Sequence, residues 1–114
     1  MTATRKRSRK CVWEPASWFS WRSLIDHLDE HLPIGTVTVE RVRLVKCFGT
    51  VHRCRRKFVI RVSNRLPWES AVFTLCEEWA HAMTWPVTDH TDQWGINYAK
   101  AIREAEAWEK SDDD

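Results

Sequence analysis

Glycine is scarce in this chain: three of the 114 residues are glycine, and none belongs to a phosphate-binding pattern such as G-x-x-x-x-G-K. No apolar stretch approaches the roughly 18 residues that a membrane-spanning helix needs. The basic N-terminus also lacks the apolar segment of a signal peptide. These absences argue against a P-loop enzyme, a membrane protein and a secreted protein. We therefore expect a cytoplasmic location and no membrane partner.

Paired cysteines are absent too, since none of the four cysteines has the C-x2-C spacing of a zinc knuckle or a redox motif. In a cytoplasmic protein we expect them to be reduced thiols. What the chain does have is a globular composition, with 43% apolar and 30% charged residues. Its length suits one domain, which we place at residues 13–110, followed by an acidic tail at 111–114.

Charge is unevenly distributed along the sequence. Residues 1–61 contain 14 Lys or Arg and 5 Asp or Glu, whereas residues 62–114 contain 4 and 11. The first part includes residues 1–12, which we predict to be a disordered basic arm. This arm is either a solubilising tail or a nucleic-acid contact that gains affinity by displacing phosphate counterions.

A second basic group falls in the predicted sheet. Its members are Arg53, Arg55, Arg56 and Lys57. They form either a solvated strand face or a surface that contacts nucleic-acid phosphates.

Hydrophobic periodicity predicts the order of the secondary structure. Apolar residues recur at helical spacing in three segments and alternate in a fourth. The helices are predicted over 17–32, 67–84 and 91–109, and the sheet over 36–63. Together they predict an α+β fold in which an N-terminal helix and a small, mainly antiparallel sheet support two packed helices.

The first predicted helix carries His27 and His31, four residues apart. This spacing places both rings on one face, where a pair of histidines can bind a metal ion. No third ligand lies nearby in the sequence. We therefore interpret the pair as part of a solvated helix face.

The second predicted helix carries the strongest candidate site. Glu77 and His81 share its polar face, and His90 follows after the break at Pro86. If the last two helices pack together, these three side chains form a plausible zinc site with a fourth position open for water. Glu78, about 100° further around the helix, is placed to take a proton from that water.

The segments EEWAHAMTW and DHTDQWGINYAKAIRE resemble the SprT-like (Spartan-like) zincin metallopeptidases, especially their short phage-encoded members. Those proteins carry a helix similar to HEWAHA and a later segment similar to HGPEWGxAYARxxR. The resemblance covers about residues 36–109. It implies a minimal zincin-like domain with one zinc ion per chain, in which His81 and His90 are ligands and Glu78 is the general base. It also implies hydrolysis of peptide bonds, with DNA-associated proteins as substrates.

Glu77 departs from the family pattern, because it stands where the family has its first histidine ligand. A carboxylate is a possible zinc ligand, so a Glu/His/His site remains one interpretation. The alternative is an inactive zincin-like module that binds nucleic acid or a host protein through its basic half. A further alternative is that Glu77 and Glu78 are ordinary acidic residues, paired with Arg53 or Arg61 of the basic sheet.

Overall fold

A computed structural model describes residues 18–113. The elements follow the predicted order, and the α+β layout is confirmed. They are α1 (Trp18–His31), β1 (Thr36–Val42), β2 (Gly49–Cys54), β3 (Lys57–Ser63), α2 (Trp68–Met83) and α3 (Asp92–Asp113). The basic arm predicted for residues 1–12 lies outside the described residues.

The sheet is mixed, with strand order β1-β3-β2. β2 and β3 form the expected antiparallel hairpin, whereas β1 pairs with β3 in parallel, from Thr36 opposite Lys57 to Val42 opposite Ser63. β3 takes the central position because its apolar run, which includes Val59 and Ile60, is buried along most of its length. The sequence predicted a mainly antiparallel sheet, and the parallel pairing of β1 with β3 was not expected.

α2 packs against α3 and against strands β2 and β3. Its apolar stripe is buried as the periodicity predicted: Leu75, Cys76 and Trp79 are all 0% exposed. The indole N–H of Trp79 donates to the carbonyl oxygen of Leu32, 2.8 Å away, and so ties α2 to the segment that follows α1.

The start of α3 is capped by Thr91, whose hydroxyl oxygen accepts a hydrogen bond from the backbone N–H of Trp94 at 3.2 Å. At its other end α3 continues to Asp113, so residues 111–113 are helical where we expected a tail. Within residues 18–113, no helix combines the length and apolar character needed to cross a membrane.

Candidate active site

His81 and His90 meet where α2 ends and α3 begins. Their Nε2 atoms lie 3.2 Å apart. Trp94, in the first turn of α3, stacks on the ring of His90 with centroids 4.0 Å apart and planes 10° apart. The Trp94 indole N–H also donates to the backbone carbonyl of Glu77 at 3.4 Å. One tryptophan therefore orients His90 and joins the two helices that carry the site.

The environment of His81 favours a neutral ring. Burial, and then the charge of the neighbouring His90, lower the pKa of His81 below its ordinary value. A neutral imidazole keeps a lone pair on one ring nitrogen, which is the form that binds metal ions.

Glu78 lies one turn before His81 in a half-buried position facing β2. Burial, and then the charge of Glu77, raise the pKa of Glu78 to about 7. A carboxyl group with such a pKa exchanges its proton near neutral pH, as a general base or acid must.

The close approach of β2 to Glu78 requires a glycine. A Cβ atom at Gly49 would lie 2.5 Å from Thr74 Cγ2 and 3.2 Å from Glu78 Oε2. Any larger residue at this position would push the strand away from the helix. A contact between β2 and α2 leaves no local signal in the sequence, so this role of Gly49 could not be predicted from the sequence.

Glu77 is the predicted site residue that the structure leaves apart. Its charge contributes, after burial, to the raised pKa of Tyr98, so the two groups interact electrostatically. Glu77, His81 and His90 do not form a group of three potential metal ligands whose ligand atoms all lie within 4.8 Å of one another. Among the described side chains of residues 20–111, the only such set of His, Cys, Asp and Glu is His27, His31 and Glu104.

The two histidines fit a zinc ion by the spacing of their nitrogens. Nitrogens about 2.0–2.1 Å from a tetrahedral zinc ion lie roughly 3.3 Å apart. The distance between the Nε2 atoms of His81 and His90 is 3.2 Å. The spacing of His81 and His90 therefore suits one zinc ion, whereas Glu77 does not lie with them in a set within 4.8 Å.

The predicted nucleic-acid residues gather at one turn. Arg55 has a φ of 62° in the tight turn between β2 and β3, and the four basic side chains there are exposed. Arg53 donates to the carbonyl oxygen of Arg55 at 3.1 Å, and Arg61 donates to Glu40 at 3.0 Å. The described bonds of Arg53 and Arg61 thus go to partners other than Glu77 and Glu78, so they do not include the pairing named in the ordinary-acid alternative.

Comparison of the chain with protein-family models, with curated proteins and with solved structures finds no match.

Proposed function

We propose that this protein is a zinc-dependent hydrolase of peptide bonds. The observation that carries the proposal is the 3.2 Å approach of His81 Nε2 to His90 Nε2, one helical turn from a carboxyl group with a pKa of about 7. In this proposal His81 and His90 hold zinc, and Glu77 supplies the third ligand after rotation of its side chain. The resemblance to the SprT-like zincins supplies the reaction.

Glu78 is the proposed general base. When bound, zinc lowers the pKa of a coordinated water to about 7 and polarises a carbonyl group. The Glu78 carboxylate would accept a proton from the attacking water and pass it to the departing amine. The pKa of Glu78, raised by burial to about 7, matches both transfers at neutral pH.

β2 is the proposed place for an extended substrate. It is an edge strand of the sheet, with β3 on one side only, and its first residue, Gly49, lies against Glu78. A peptide added along this edge would form backbone hydrogen bonds with β2 and bring its carbonyl groups towards Glu78. The resemblance implies that the substrates are proteins associated with DNA.

The test combines zinc content with cleavage of an unfolded protein such as casein. We expect His81→Gln and His90→Gln each to lose the zinc ion of this site. Both variants should also lose cleavage. Glu78→Gln should keep zinc but lose cleavage. Glu69→Gln, at an exposed position in the same helix, is the control and should retain both. A wild-type protein that binds no zinc at His81 and His90 refutes the proposal.

A second candidate function is nucleic-acid binding through the β2–β3 turn. The observation in its favour is that Arg53, Arg55, Arg56 and Lys57 are all exposed at this one turn. Each phosphate contact contributes about 0.9 to the slope of log affinity against log salt. Replacing the three arginines by Gln should therefore flatten that slope, while Arg22→Gln on α1 should not. An unchanged slope in the triple variant removes the turn from any nucleic-acid interface.

A further inference from the structure

A second group of metal-binding side chains lies between α1 and α3. His27 and His31 occupy successive turns of α1, and their rings stack with centroids 4.1 Å apart. Glu104, 77 residues after His27, brings its Oε1 atom to 3.0 Å from His27 Nε2. The same oxygen lies 4.0 Å from His31 Nδ1. One potential ligand atom from each residue lies within 4.8 Å of the other two.

We propose that His27, His31 and Glu104 form a zinc site, separate from the site at His81 and His90, that clamps α1 to α3. Two imidazole nitrogens and one carboxylate oxygen are an established donor set for this ion. Zinc would leave the fourth position to water, because the site lies at the protein surface, where the His31 side chain is 42% exposed.

The distance between His27 and Glu104 requires little rearrangement. Ligand atoms around a tetrahedral zinc ion lie roughly 3.3–3.5 Å apart, given bond lengths of about 2.0–2.2 Å. The 3.0 Å between His27 Nε2 and Glu104 Oε1 would widen by a few tenths of an ångström, with the ion taking the place of the shared hydrogen. The side chain of Glu104 is 31% exposed and that of His31 is 42% exposed, so both have room to rotate.

A backbone hydrogen bond prepares His31 for this role. Its Nδ1 atom lies 2.9 Å from the carbonyl oxygen of His27, and a carbonyl oxygen only accepts hydrogen bonds. Nδ1 therefore carries the hydrogen, and in the neutral ring the lone pair is on Nε2. Metal-binding histidines commonly have this arrangement, with one nitrogen held by a carbonyl group and the other free to bind.

A metal ion here would oppose unfolding, since it joins residues that are far apart in sequence and binds only where the two helices are packed.

The test uses the full chain, first stripped of metal, and titrates it with Zn²⁺. Ring signals of the five histidines are followed by ¹⁵N NMR. This readout is needed because the thiols of Cys47 and Cys54 are exposed and cysteine is itself a zinc ligand, so total zinc content alone does not identify the site.

We expect the ring signals of His27 and His31 to shift on titration. In Glu104→Gln and in His27→Gln, the shift of His31 should be lost. His52→Gln, at an exposed position on β2, is the matched control and should leave the Zn²⁺-induced shift of the His31 signal intact. In a His81→Gln/His90→Gln background, Zn²⁺ at about a hundredfold its Kd should raise Tm by roughly 10 °C. Adding Glu104→Gln should abolish that increase.

Two results would overturn the inference. One is that the His27 and His31 signals stay in place at saturating Zn²⁺; the other is that they shift equally in Glu104→Gln. Neither result tests the proposed hydrolase, because zinc binding at that site is followed through the separate ring signals of His81 and His90. Conversely, if no zinc binds at His81 and His90, the same titration still tests the site of His27, His31 and Glu104.

Discussion

The indole ring of Trp94 lies parallel to the imidazole ring of His90, with the ring centroids 4.0 Å apart. Because the same indole donates a hydrogen bond to the backbone of Glu77, it fixes a residue of the α2–α3 connection against α2. Trp94 is half-buried and is the part of the site that orients a proposed ligand.

Trp94→Leu should weaken zinc binding at His81 and His90 about 10- to 100-fold, the usual effect of removing a group that orients a metal ligand. Isothermal titration with Zn²⁺ measures the loss. Trp85→Leu is the control, because Trp85 contacts Phe58 edge to face and makes no described ring contact with either histidine. Unchanged affinity in Trp94→Leu would show that His90 does not depend on the stack.

Gly49→Ala should lower the free energy of unfolding by about 1–3 kcal/mol, as overpacking commonly does. The new Cβ would lie 2.5 Å from Thr74 Cγ2, so β2 has to move away from α2. Urea denaturation gives the value. Gly95→Ala is the matched control: no atom lies within 4 Å of its added Cβ, and alanine favours the helix, so stability should hold or rise. Equal stability in the two variants would contradict the close approach.

The contribution of Glu78 to the stability of the protein should decrease between about pH 4.5 and pH 7. Burial and Glu77 raise the pKa of Glu78 from 4.5 to about 7 in the folded state. The folded state therefore binds this proton more tightly than the unfolded state, and the resulting stabilisation is present below the lower pKa and lost as the pH rises through the higher one. Glu78→Gln should remove this decrease. Urea denaturation across the pH range measures the decrease. If stability depends on pH in the same way in the wild type and in Glu78→Gln, the Glu78 carboxyl is solvated and its pKa is not raised.

Cys76 should resist alkylation by iodoacetamide while the fold is intact, whereas Cys47 and Cys54 should react. Burial raises the pKa of the Cys76 thiol to about 12, so little thiolate forms, and the side chain is 0% exposed. Peptide mass spectrometry after timed labelling distinguishes the cysteines. Labelling of Cys47, Cys54 and Cys76 in urea is the control. Equal rates in native buffer would show that α2 is open to solvent at Cys76.

Much of the local structure could be predicted because it depends on neighbouring residues. The alternation of Phe58, Ile60 and Val62 predicted a strand, and the helical spacing of Leu75, Cys76 and Trp79 predicted the buried face of α2. The candidate residues His81 and Glu78 also lie within one short segment, so a motif could identify them. Glu77 as a zinc ligand stays a prediction, because a side-chain rotation decides it.

The sequence by itself thus determined which segments are helices and strands, and their order, because periodicity acts over a few residues. Only the tertiary structure decided the contacts between distant segments. It placed β3, the most buried strand, at the centre of the sheet, with β1 parallel to it. It also brought Glu104 to His27, two residues of different helices whose pairing has no local signature, because that distance depends on how α1 and α3 pack on a shared core.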